Sequence, residues 1–270
     1  MVAAAAVLLP LYMWPTGPSG ESTWQPVLDS AAAYPSLQFT VIVNPNSGPG
    51  DWPNPDYAAA IAQLNALSNV QTVGYVDTAQ VNQPDGPYTI ERIGNDISTY
   101  ASRSANEPNV ALQGVFFDDV SNVYSDSVEL LLEEAVNQTK ASEGFGNTRT
   151  VSNTSSTTPA EDWYLCYPQT IINPGTRPNF MTPNVDISLS FESTWEQYRS
   201  LDSRAWLAGN PYDRDHTAYV VFGAPPGDVA SITTQLRANA SYIYVTDTLD
   251  DPYKSFGSTW ETFIAAMAAE

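Results

Sequence analysis

The sequence predicts a single (β/α)8 barrel, and three observations carry that expectation. Apolar runs of strand length alternate with helix-like stretches from end to end, the pattern of a parallel sheet with helical crossovers. Eight such runs fit into 270 residues, close to the roughly 250 typical of that barrel. No run leads into a phosphate-cradling glycine loop. The Gly48-Pro49-Gly50 turn contains a proline and opens no immediate helix, which disfavours an open doubly wound nucleotide-binding sheet.

In order, the first strand is Val7 to Trp14, reached directly from the short alanine run at the start of the chain, and a helix-like stretch follows at Gln25 to Tyr34. Phe39 to Asn44 is the second strand, ended by asparagine beside Pro45, and the alanine-rich Asp56 to Leu67 is its helix. Val70 to Asp77 and Ile90 to Ser102 form the third unit. Val110 to Asp118 is the fourth strand; its run Gly114-Val-Phe-Phe looks buried and stops abruptly at Asp118 and Asp119, before a helix over Ser125 to Lys140. The fifth strand, Thr170 to Asn173, has a weak crossover, since Arg177 to Pro183 offers little helical material. Val185 to Glu192 with Thr194 to Leu201, then Thr217 to Gly223 with Asp228 to Ala238, then Ser241 to Thr246 with Thr259 to Ala269 complete eight units. One domain over 1–270 is expected. Its low-complexity segment, rich in Ser and Thr at Asn147 to Pro159, reads as an exposed loop inserted at about 145–162.

Thirty acidic against ten basic residues leave a net charge of -20, which argues against nucleic acid or an anionic membrane as partner and suits a cationic or neutral substrate. Hydrophobic residues at 43% are enough to fill one core. Low charge (15%) with 21 Pro, 15 Tyr and 7 Trp is a composition common in secreted sugar-binding proteins. No apolar stretch reaches the roughly 18 residues of a membrane span, and the first residues show no basic region of a signal peptide.

Scarcity decides the chemistry. One histidine, His216, and one cysteine, Cys166, stand in the chain, so a histidine-rich zinc site is impossible and a serine triad would depend on His216 alone. His216 precedes the seventh strand, at the end of a barrel where active sites are not built. Cys166 reads as a small buried hydrophobe. Carboxylates remain, and no metal or organic cofactor is called for.

Along Val185 to Glu192, alternation sets Val185, Ile187, Leu189 and Phe191 on one face and Asp186, Ser188, Ser190 and Glu192 on the other. With the apolar face toward the helices, Glu192 points to the barrel axis at the C-terminal mouth. The same alternation forbids Asp118 and Asp119 from both pointing inward on a regular strand, so one of them belongs to the turn. Converging carboxyls suit glycosidic cleavage, in which one donates a proton to the leaving oxygen and another attacks or stabilises an oxocarbenium-like centre. Tyr12 and Trp14 at the end of the first strand, Tyr75 on the third, and Tyr242 and Tyr244 on the eighth are candidate stacking platforms. Asn44, Asn46 and Asn173 lie at or just past strand ends, where amides bond hydroxyl or acetamido groups.

The strand ends together resemble the spherulin-4-like family, glycoside hydrolase family 135. The matching segments run in order: Leu9-Pro-Leu-Tyr12, Val41-Ile-Val-Asn-Pro-Asn-Ser-Gly-Pro-Gly50, Pro53-Asn-Pro-Asp-Tyr57, Gly74-Tyr-Val-Asp-Thr78, Asp96-Ile with Tyr100, Gly114-Val-Phe-Phe-Asp118, Asn173-Pro-Gly-Thr176, Phe191-Glu192 and Tyr244-Val-Thr-Asp247. The resemblance implies the same barrel and hydrolysis of galactosaminogalactan, a polymer containing α-1,4-linked N-acetylgalactosamine and galactosamine. It carries catalytic positions over to Asp118, Asp119 and Glu192, and adds Asp247 to the substrate-binding set of Tyr12, Trp14, Asn44, Asn46, Tyr75, Asn173 and Tyr244. Asp119 stands where the family has Glu, one methylene longer. The expectation is a monomeric, secreted or cell-wall-associated endo-acting hydrolase of an amino-sugar polysaccharide, with Asp118 as nucleophile or stabiliser, Glu192 as acid and base, and Asp119 tuning both. The first two roles are exchangeable. Retention of configuration is expected, and a carboxyl separation nearer to about 9 Å than to about 5 Å would argue for inversion. The competing reading, kept open by Asp119, is a glycan-binding or coat protein on the same barrel.

Overall fold

The eight apolar runs become eight parallel strands that close on themselves in sequence order: β1 (Ala6–Leu11), β2 (Phe39–Val43), β3 (Val70–Asp77), β4 (Gly114–Asp118), β5 (Gln169–Ile172), β6 (Ile187–Thr194), β7 (Thr217–Phe222) and β8 (Tyr242–Val245). The computed structural model describes residues 4–51, 54–78, 89–146 and 167–269. The helices are α1 (Gln25–Ala33), α2 (Pro55–Asn65), α3 (Ile90–Asn106), α4 (Asp126–Ala141), α5 (Trp195–Arg199), α6 (Leu201–Leu207), α7 (Val229–Arg237) and α8 (Trp260–Ala268). The β5–β6 crossover contains no helix among the described residues, and β6–β7 is crossed by two short helices rather than one. The Ser/Thr-rich insertion at 147–162 and Cys166 lie outside the described residues. Among the described residues, no helix is long and apolar enough to cross a membrane.

Local chemistry explains where strands stop and helices start. β1 ends at Leu11 rather than Trp14 because side chains take the next carbonyls: Trp24 Nε1 donates to Met13 O at 3.0 Å, and Thr23 Oγ1 to Trp14 O. β4 starts at Gly114 rather than Val110, since 108–110 forms a 3-10 turn closed by Val110 N–H on Glu107 O at 2.9 Å. At the mouth, Asn54 caps α2 by accepting from Asp56 N–H, Ser125 caps α4 through Val128 N–H, and Thr194 caps α5 through Gln197 N–H. Each such cap is worth about 1 kcal/mol.

The register carries the inward and outward sense of side chains around the barrel. Gly74 faces α3, where an added Cβ would lie 2.6 Å from the Tyr100 ring. Tyr100 uses that space to reach the sheet and donate to Tyr75 O at 3.0 Å. Its neighbour Tyr75 therefore points inward, beside Phe116, with which it is in register.

β6 departs from the expected phase. Asp186 pairs with Lys140 of α4 at 2.5 Å, Thr170 Oγ1 donates to it, and the Ser190 hydroxyl accepts from Asn210, beyond α6. The Asp186, Ser188 and Ser190 face is thus turned to the helical layer, and Ile187 and Leu189 fill the barrel, opposite to the sequence expectation. A β-bulge between Leu189 and Phe191 then shifts the ladder by one residue. Beyond it Phe191 packs edge-on to Tyr198 of α5 at 5.2 Å, and Glu192 points inward. Alternation assigned Glu192 the right side from the wrong phase, because one extra residue reversed the pattern just before it.

Candidate active site

Five strand ends and one loop meet at the C-terminal mouth. Asp118, the last residue of β4, accepts from Tyr75 Oη at 2.6 Å and from Asn173 Nδ2 at 2.6 Å. The same Asn173 nitrogen donates to Glu192 Oε2 at 2.6 Å. Two carboxylate oxygens therefore lie within twice that distance, about 5 Å, held apart by the two hydrogens of one amide. The amide orientation follows from its other end, because Asn173 Oδ1 accepts from Gly175 N–H at 2.8 Å. Backbone bonds seat the group: Asn173 N–H on Phe117 O at 2.8 Å, Val120 N–H on Asn173 O at 3.0 Å and Glu192 N–H on Gly175 O at 2.9 Å.

Tyr253, in the loop between β8 and α8, donates to Glu192 Oε1. Tyr12 lies edge-on to both Tyr75 and Tyr253, with centroids at 5.5 and 5.2 Å, so three tyrosines wall the carboxyl pair. Burial, then the charge of Asp118, lifts the Tyr75 and Tyr12 phenols; burial, then the charge of Glu192, lifts that of Tyr253. All three stay protonated, and Tyr75 and Tyr253 donate to the carboxyl pair. Burial pushes Asp118 up to about 6, aided by the charge of Glu192 and opposed by the Tyr75 hydrogen bond. That is the condition of a carboxyl able to hold and release a proton near neutrality.

The two adjacent aspartates divide. Asp119 adopts φ +56, a left-handed conformation that Asp tolerates better than most residues. It is exposed and lines a cavity of about 290 Å³ with Thr78, Ser121, Val128 and Leu131, toward α4. Its strand end is tied down by Thr78, whose N–H and hydroxyl both bond Asp118 O, at 3.0 and 2.5 Å. Asp118 is thus the inward residue and Asp119 the turn residue.

Other candidates fall around rather than in this cluster. Trp14 sits on the rim, 46% exposed, with Nε1 on Asp56 at 3.1 Å and its ring edge-on to Tyr57. Asn44 offers a buried Oδ1 without a partner at the end of β2. Asn46 is exposed in the following turn, its N–H on Gly48 O. Tyr244 is 2% exposed and packs edge-on to Phe263 of α8, which leaves no face for a ligand. Asp247 braces the entry to α8, accepting from Ser258 N–H at 3.0 Å and Thr259 Oγ1 at 3.1 Å. His216 bonds Asp213 at the opposite end of the barrel. Tyr253 escaped the sequence reading because it comes from a segment outside the strands, where alternation carries no information. Only the rule that the last βα loop of a barrel reaches the mouth points toward Tyr253.

The profile of spherulation-specific family 4 matches residues 6–267. The chain belongs to the spherulin-4 family. Spherulin-4 of Physarum polycephalum is 29% identical over 174 residues, 64% of this chain, and the match spans 40% of that protein's length. The crystal structure of Aspergillus clavatus Sph3 in complex with GalNAc superimposes with a TM-score of 0.81 and 26% identity, covering 99% of this chain and 98% of that one. This spherulin-4 family member therefore shares its barrel from end to end with a protein crystallised with an amino sugar.

Proposed function

We propose that the chain is a retaining, endo-acting glycoside hydrolase of an α-1,4-linked N-acetylgalactosamine and galactosamine polysaccharide. The observation that carries this reading is the Asn173-bridged pair of Asp118 and Glu192. Its two bridged oxygens lie at most about 5 Å apart, nearer to the roughly 5–5.5 Å of retaining enzymes than to the roughly 6.5–9.5 Å of inverting ones. The likeness to Sph3, crystallised with GalNAc, supports the substrate class. The charge of -20 supports a polymer carrying free amines.

Of the two exchangeable roles, burial favours Asp118 as acid and base. Asp118 gives its proton to the leaving oxygen while Glu192, oriented by Tyr253 and Asn173, bonds to the anomeric carbon. Asp118 then takes a proton from water, whose oxygen displaces Glu192. Trp14 on the rim supports binding of more than one sugar, as endo cleavage needs, and the composition supports action outside the cell. The chain works as a monomer without a cofactor in this reading.

Reducing-end release from purified galactosaminogalactan tests it, with Asp118→Asn and Glu192→Gln as controls expected to lose at least about 100-fold. With Asp118 as acid, kcat/KM falls as pH rises through about 6; a rise through that pH would restore Asp118 to the nucleophile role. The outward turn of Asp119 supports one competing reading, a glycan-binding protein without turnover. Binding of the polymer with no release by the parent protein would establish it.

A further inference from the structure

On the Glu192 side of the pair lies a second recess, of about 330 Å³, lined by Thr176, Glu192, Ser193, Gln197 and Trp206 among others. Trp206, on α6, is one of few large apolar side chains left open among the described residues, at 37% exposure. Its ring is held rather than loose. The Arg177 guanidinium covers it at 4.4 Å from the ring centroid and donates through Nη1 to Trp206 O. Gly209 makes room for that guanidinium, since a Cβ there would collide with Nη1. Packing of this kind fixes an aromatic plane at little further entropic cost on binding.

We propose that this recess is a sugar subsite flanking the scissile bond, with Trp206 as its stacking platform and Arg177 as a positioning residue that holds the ring. The chemistry matches one face of a pyranose. C–H bonds with partial positive charge rest on the negative face of an indole, while Ser193 and Gln197, bonded to each other, and Thr176 supply hydroxyl and amide groups at the edge. Glu192 lines this recess as well as the acid pair, so a sugar on Trp206 would lie beside the one at the Asp118–Glu192 pair. A volume at the low end of ligand sites suits one ring. This subsite rests on the glycosidase reading and adds to it a residue that senses chain length.

Calorimetric titration of α-1,4-linked N-acetylgalactosamine oligomers of one to five units into the Asp118→Asn protein tests the assignment. Affinity should rise with length in Asp118→Asn. Adding Trp206→Ala should weaken the longer oligomers about tenfold, the scale of a truncated aromatic anchor, and leave the single sugar unchanged. Trp206→Phe should restore most of the loss. An equal loss for the single sugar and the chains, or no loss at all, would overturn the subsite while the glycosidase reading stands. No binding of any oligomer by Asp118→Asn would sink both.

Discussion

β4 and β6 deliver their carboxylates by different routes. β4 is regular to its last residue, and Asp118 points inward because Phe116, two residues earlier, does. β6 is broken by a bulge, and Glu192 points inward although Ile187 and Leu189, at odd positions, fill the barrel below it. The first acid is placed by periodicity alone; the second depends on one inserted residue. A site built half on a bulge can lose one acid while the barrel keeps its fold, which a site built on regular strands cannot do as easily.

The largest effect is expected at the acid that the bulge delivers. Glu192→Gln should lower reducing-end release by about 1,000-fold, with far-UV circular dichroism retained. Deleting Ser190 makes the ladder regular but leaves Phe191 opposite Tyr219 and Glu192 opposite Val220, so the carboxyl should stay on the inner side and activity should fall far less. A loss on deleting Ser190 as deep as that of Glu192→Gln would mean that the pairing beyond the bulge does not set the direction of Glu192.

The next effect concerns Asp118 and stability. Its carboxyl is lifted from 3.8 to about 6, so the folded state binds the proton more tightly than the unfolded chain. Stability from that difference is fully present below about 4 and lost as pH rises through about 6. Asp118→Asn cannot ionise. Its stability relative to the parent should grow by on the order of 2 kcal/mol between pH 4 and pH 8, read from urea midpoints at the two pH values. A pH-independent difference would show that burial does not perturb Asp118.

The smallest effect belongs to Asp119, which contrasts with Asp118 one residue away. Asp119→Gly relieves a positive φ and should stabilise the chain by about 0.5–1 kcal/mol with kcat/KM within about threefold of the parent. A large loss of activity would return Asp119 to the catalytic group.

Much of this arrangement was legible in the residues. The strand and helix alternation marked all eight strands, and the weak material at 177–183 marked the crossover without a helix. Asn173, expected as a substrate-binding amide at a strand end, bridges the two acids. Trp14, Asn46 and Tyr244 shared the same sequence signal, an aromatic or polar residue near a strand end, yet they pack on α2, a turn and α8, and Asp247, brought in by the family resemblance, braces the α8 entry. The signal reports distance along a strand, and that does not say what a neighbouring helix or loop will cover.

By itself, the sequence determined that the chain forms a barrel and pointed to carboxylates as the groups available for chemistry. Apolar periodicity and the near absence of histidine and cysteine are local properties that survive any detail of packing. Only the tertiary structure decided which acids meet: the phase of β6, the choice of Asp118 over Asp119, and the arrival of Tyr253 and Trp206 at the mouth. Those outcomes depend on one bulge, one left-handed residue and two connecting segments, whose positions are set by long-range contacts that no window of neighbouring residues contains.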